Sequence, residues 1–180
     1  MQIFTAATRQ QTAWKNGGGI TRPVASAPGR AWEFGWRLSL ADVSAPGPFS
    51  CFPGIFRLMG ILQGQMRLEV EGFPPALLTP GGPAFAFPGD ACAYATPIEG
   101  LVQDINLMFD PECFAATLDY APQGIDLPSR AEIRLAVALA PLTLNDIALA
   151  PLDAALVPDQ TALSAKGGAL WVASLRALPY

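Results

Sequence analysis

The chain has 180 residues, enough to bury a real core as one compact domain or as two small fused barrels. Apolar residues make up 51% and charged residues 14%, a balance that excludes intrinsic disorder. Lys and Arg total 11 against 15 Asp and Glu, a net charge of −4 with no basic run, which excludes nucleic acid as the expected partner because phosphate binding depends on clustered cations.

The first nine residues lack a basic start followed by a sustained apolar stretch, so no secretory leader is expected. Trp14-Lys15-Asn16-Gly17-Gly18-Gly19 sets an amphipathic ring, a cation and an amide before three residues free to adopt positive φ. Such a segment can fold over a ligand and aim N–H groups at an anion, or it can simply bend the chain before a strand at Thr21. Neither glycine-rich nucleotide fingerprint is present. Residues 34–40 alternate, with Phe34, Trp36, Leu38 and Leu40 on one face and Gly35, Arg37 and Ser39 on the other. Residues 57–62 and 66–70 flank Gln63-Gly64-Gln65, which predicts a hairpin with glycine at its turn.

Strands are expected at 77–79, 84–87, 92–95 and 101–109, the last placing Val102, Asp104, Asn106 and Met108 on one face. Asp110-Pro111-Glu112 predicts a short helix to Tyr120, with aspartate at the N-cap and proline at the first helical position. From 131 the chain is rich in Leu and Ala, and the alternation of Ile133, Leu135, Val137 and Leu139 predicts strand where composition alone also suits helix. The apolar stretch 133–156 is interrupted by Arg134, Pro141, Asn145, Asp146, Pro151 and Asp153, too often for a membrane span. Cys51, Cys92 and Cys113 form no CxxC pair, which suits a reducing cytoplasm; Cys92 and Cys113 read as small buried hydrophobes. Short apolar runs punctuated by 18 prolines and 17 glycines read as an all-β protein, with residues 1–125 as a first half and 126–180 as a less polar second half.

Residues 49–64 have the spacing of a cupin metal motif, His-x-His, four residues, Glu, six residues, Gly. Those places hold Ser50, Phe52, Arg57 and Gly64, and the chain contains no histidine. No imidazole can therefore bind a metal, abstract a proton or activate Ser50 or Cys51 as a nucleophile, so no metal or other cofactor is expected.

Trp14 to Thr21, Trp36-Arg37-x-Ser39, Gly47-Pro-Phe-Ser50, Phe52-Pro-Gly54, Arg57 and Asp104-x-Asn106-x-Met108 together resemble the HutD/Ves family, over about residues 14–109. The resemblance implies a cupin-like double-stranded β-helix, an RmlC-like jelly roll, with two barrels (a bicupin) in one chain. It also implies an association with histidine utilisation, as a small-ligand-binding regulator with N-formylglutamate or a related intermediate as ligand. Phe56 stands where the resemblance leads one to expect an aspartate beside Arg57, which leaves the counter-ion of that arginine open.

Arg57 sits in an otherwise apolar strand and must be paired or wet; it either binds a ligand carboxylate or forms an internal salt bridge, with Asp104 the natural partner. Arg37 and Ser39 serve a pocket if their face points inward and are an ordinary solvated face if it points outward. Asp104 and Asn106 are the candidate polar floor, and Asp90 reads as a turn residue. The expected ligand-binding set is Lys15, Asn16, Arg37, Ser39, Ser50, Arg57, Asp104 and Asn106, with no catalytic residues assigned. The expected partner is a small carboxylate such as N-formylglutamate, urocanate or formate, and a homodimer is an allowed assembly. Two alternatives stand beside this metal-free sensor: a metal-independent isomerase or lyase using Asp104 and Tyr94 for proton transfer, and a protein-interaction scaffold. The balance favours binding over catalysis.

Overall fold

The computed structural model describes residues 1–15, 17–30, 32–130 and 132–179. Among these residues the regular structure is seventeen strands and one 3-10 turn, Ala6–Thr8, so the all-β expectation holds. The chain divides into two compact units, Gln10–Glu112 and Met1–Arg9 with Cys113–Tyr180. The first strand, β1 (Gln2–Phe4), belongs to the latter.

The Gln10–Glu112 unit holds β2 (Thr12–Ala13), β3 (Gly19–Ala27), β4 (Trp36–Val43), β5 (Gly47–Pro48), β6 (Phe56–Val70), β7 (Ala76–Leu78), β8 (Phe85–Pro88) and β9 (Ala93–Phe109). They form one sheet in the order β2-β3-β4-β9-β6-β7, with β5 paired to β9 and β8 to β6. The antiparallel trio β4-β9-β6 is its centre, and its alternation buries Val43, Met59, Ile61, Met66, Leu68 and Val102 in a common core with Phe87 of β8. Each such side chain contributes about 1.5–3 kcal/mol on leaving water.

The hairpin expected at Gln63-Gly64-Gln65 is corrected here. Residues 56–70 are one continuous strand that stays paired to β9 from Phe56 opposite Phe109 to Val70 opposite Ala93, with register shifts between Ile61 and Gln65. Gly64 sits at φ +80°, and a Cβ there would lie 2.7 Å from the Leu101 carbonyl oxygen, so glycine serves a bulge that bends the strand and not a reversal of the chain. Likewise the strands expected at 92–95 and 101–109 fuse into β9, which turns through Glu99 and Gly100 at positive φ.

The second unit contains β10 (Phe114–Ala121), β11 (Gly124–Leu127), β12 (Ile133–Ala138), β13 (Leu142–Leu144), β14 (Ile147–Leu149), β15 (Ala154–Val157), β16 (Leu163–Lys166) and β17 (Leu170–Ala177). One sheet runs β1-β15-β12-β17-β10, the other β11-β16-β13-β14. Ala136, Ala155, Leu170 and Val172 of the first meet Leu142, Leu144, Leu163 and Ala165 of the second in a dry core, the usual sandwich solution for two half-apolar sheets.

The helix expected between Asp110 and Tyr120 is absent. The Asp110 carboxylate does accept the Glu112 N–H at 2.9 Å, as a cap would, but the chain then runs extended as β10 and pairs in register with β17 from Phe114 opposite Ala177 to Ala121 opposite Leu170. Eight residues of sheet pairing outweigh a local capping signal, and for the same reason the boundary between units lies at 112/113 where 125/126 was expected. The expected burial of the cysteines is also corrected: Cys92 is exposed and Cys113 only partly covered. No helix among the described residues is long and apolar enough to cross a membrane.

Candidate ligand-binding site

The register of β4, β9 and β6 builds the site. Directly opposed residues of an antiparallel sheet share a face, and the pairing sets Arg37 and Arg57 on either side of Met108, then Ser39 and Met59 on either side of Asn106, then Ala41 beside Asp104. These rows floor a cavity of about 530 Å³, a volume suited to a small organic ligand. Lys15, Arg37, Ser39, Ser50, Arg57, Asp104 and Asn106 all line it, as do Trp14, Phe49 and Phe52. The polar face of β4 therefore points inward. Asn16 lies outside the described residues.

Trp14 and Lys15, which precede the glycines, contribute to the rim. Trp14 donates its backbone N–H to the Gly19 carbonyl at 2.9 Å and its indole N–H to the Thr21 hydroxyl at 2.8 Å, while the Gly17 N–H is spent on the Trp14 carbonyl at 3.0 Å. These bonds close a tight bend before β3 that holds the Trp14 ring against the cavity. Gly19 is required by close approach: a Cβ there would meet the Asp42 carbonyl at 2.6 Å and the Trp14 ring at 2.9 Å.

Arg57 is 5% exposed, yet its charge meets aromatic faces and no carboxylate. Its guanidinium carbon lies 5.0 Å from the Phe49 ring centre and 4.9 Å from that of Phe87. Arg37 similarly lies over Phe34 at 4.5 Å and Phe52 at 5.5 Å, and donates to the Met108 sulfur at 3.3 Å. Ion pairs join Arg22 to Asp42, Arg67 to Glu69 and Arg134 to Glu132, but none joins Arg57 to Asp104, so that internal salt bridge is not formed. Nε of both cavity arginines, Oδ1 of Asp104 and Oδ1 of Asn106 are buried without a hydrogen-bond partner. Phe56, in the place of the expected aspartate, packs against Phe109 with ring centres 5.9 Å apart.

Burial lowers Arg57 to about 10, offset in part by the field of Asp104, and burial likewise lowers Arg37. Asp104, 1% exposed, is pushed up to about 7 by burial, against the opposing pull of Arg57. Asp42 stays low because Arg22 donates to it at 2.6 Å and Gln103 at 3.0 Å. The site thus holds two desolvated cations, with a carboxyl that ionises only around neutrality.

One candidate for chemistry and the turn residue Asp90 fall outside it. Tyr94 is 44% exposed on β9, opposite Pro48, and does not line the cavity, so it is not placed for proton transfer there. Asp90 lies in the β8–β9 turn, where its carbonyl accepts the exposed Cys51 thiol at 3.8 Å. Among the described residues no three His, Cys, Asp or Glu side chains group in a metal-holding arrangement. The aromatic partners Phe34, Phe49, Phe52 and Phe87 were not legible as site residues, although Phe49 and Phe52 bracket Ser50 in the motif itself.

The sequence profile of the HutD family matches residues 6–172. The chain belongs to the HutD family. An uncharacterised 21.2 kDa protein in the hutC 3′ region of Pseudomonas putida is 38% identical over 122 residues, covering 67% of this chain and 64% of that protein. Protein Ves of Citrobacter koseri is 35% identical over 111 residues, covering 60% of this chain and 57% of Ves. The chain thus aligns with less than two thirds of the length of each of these curated relatives. HutD from Pseudomonas fluorescens SBW25, solved in a formate condition, superposes with a TM-score of 0.91 at 30% identity, over 99% of both chains. At the level of fold alone, this HutD-family chain resembles the cupin-like YhhW of Escherichia coli, with a TM-score of 0.69 at 10% identity over 99% of both chains.

Proposed function

We propose that this HutD-family protein is a metal-free binder of a small carboxylate, acting as a cytoplasmic sensor or regulator of histidine utilisation. The observation that carries this reading is the pair of guanidinium groups lining a 530 Å³ cavity, Arg57 buried and Arg37 half-buried, neither of them ion-paired to a carboxylate and each with its Nε unpartnered. A buried unpaired charge costs several kcal/mol, and a planar fork of donors matches a carboxylate. The link to histidine utilisation rests on the family and on the hutC-region relative, and the formate condition of the Pseudomonas fluorescens structure is in keeping with a small carboxylate. We further propose that the two units correspond to the two barrels of a bicupin.

The test is titration calorimetry with formate, urocanate and N-formylglutamate. At least one should bind the parent protein, and Arg57→Ala should weaken that binding by roughly 2–5 kcal/mol, the usual effect of truncating one partner of a buried charge pair. A folded Arg57→Ala variant that binds as the parent does, or a parent that binds none at millimolar concentration, overturns the reading.

The raised pKa of Asp104 favours one second reading, a metal-independent isomerase or lyase with Asp104 as general base. Prolonged incubation of a bound acid in deuterated water separates the two: a binder returns it unchanged, and an enzyme returns product or exchanged carbon-bound hydrogen. The open cavity supports either reading over a scaffold.

A further inference from the structure

Asp104 is the one cavity carboxyl, and an anion binder gains nothing from an ionised carboxylate in its floor. Arg57 and Asp104 line the same cavity and each shifts the other's ionisation, yet they form no ion pair, which leaves a gap between the two groups. Oδ1 of Asp104 is buried without a partner, and no hydroxyl or N–H of the floor satisfies it. A carboxylate seated in that gap would accept from the guanidinium on one side. On the other side it meets Asp104, where an ionised group repels it and a neutral acid offers an O–H donor, with a short and strong O–H···O⁻ bond as the result.

We propose that Asp104 binds the ligand in its acid form, donating its proton to one carboxylate oxygen, so that each carboxylate bound brings one proton into the site. This deepens the carboxylate-binding reading and rests on it. The charged groups that share the cavity with Asp104 are Arg57 from β6, Arg37 from β4 and Lys15, and Asp42 acts on it through its field from the opposite face of β4. Asp42 is held ionised by Arg22, and Arg57, lowered only to about 10, stays charged through neutrality. The free site carries an ionised Asp104 above about pH 7 and a neutral one below it. The bound anion pushes the carboxyl further up, so the complex keeps the proton where the free protein has lost it. Affinity therefore falls as pH rises through 7.

The experiment uses sodium formate, itself ionised throughout pH 6–8. Titration calorimetry in buffers of different ionisation enthalpy counts protons taken up per formate bound. Uptake close to one proton at pH 8 and near zero at pH 6 is expected, with Kd about 10-fold weaker at pH 8 than at pH 6. Asp104→Asn, which keeps a neutral donor, should bind with a Kd that is level across this range and with no uptake. The parent measurement stands alone if the variant does not fold. Formate binding with no proton uptake and a level Kd overturns the role of Asp104 and leaves the carboxylate site standing. No formate binding at any pH overturns the role of Asp104, and the carboxylate-site reading then falls or stands on urocanate and N-formylglutamate.

Discussion

Arg134 and Arg57 are both buried arginines on strands, 2% and 5% exposed. Arg134 spends its donors at home: Nε and Nη2 both reach Oε1 of Glu132, two residues earlier and just before the strand begins, and Nη1 reaches the Thr161 carbonyl at 3.4 Å. Arg57 has aromatic faces at 5.0 and 4.9 Å, an unpartnered Nε and an open cavity in front of it. The first arrangement is closed and needs nothing more. The second leaves donor capacity that folding alone does not use, and that difference distinguishes a structural arginine from one available to a ligand.

Replacing each arginine with methionine is the sharpest way to break this comparison. Arg134→Met strands Glu132 and should cost about 3–5 kcal/mol of unfolding free energy in urea, with formate affinity unchanged. Arg57→Met removes an uncompensated buried charge and should leave stability unchanged or raise it, by up to about 4 kcal/mol. Equal losses would show that Arg57 is as structural as Arg134.

The pH profile of stability comes next. Burial raises Asp104 from 3.8 to about 7, so between those values the folded protein holds a proton that the unfolded chain has released. Stability therefore falls as pH rises through this window and levels off above it. Asp104→Asn removes that slope, and its advantage over the parent in urea unfolding should grow by roughly 2–4 kcal/mol from pH 4 to pH 8. An advantage that is the same at both ends would mean the carboxyl ionises normally.

Gly19→Ala tests the rim. The added Cβ would strike the Asp42 carbonyl at 2.6 Å and the Trp14 ring at 2.9 Å, so a loss of about 1–3 kcal/mol with weaker formate binding is expected. The smallest effect belongs to the exposed pair Arg67–Glu69, 3.1 Å apart with side chains 54% and 46% exposed. Glu69→Gln should shift the urea midpoint by the equivalent of under about 0.5 kcal/mol.

By itself, the sequence determined the all-β class, the family and the strand parity that sets Arg37 with Ser39 and Asp104 with Asn106. Those follow from local pattern, since a period of two assigns faces without reference to any neighbour. It did not determine the continuity of β6, because glycine at positive φ reads alike in a turn and in a bulge, and only the pairing with β9 distinguishes them. Nor did it determine that 114–121 is strand, where a capping signal within three residues lost to pairing with β17, some fifty residues on. The counter-ion of Arg57 was likewise undecided: Asp104 lies on the neighbouring strand, and only side-chain placement shows the two arginines resting on Phe34, Phe49, Phe52 and Phe87 with the carboxyl held apart. Sequence distance does not encode such contacts, which exist only once the sheet has set its register.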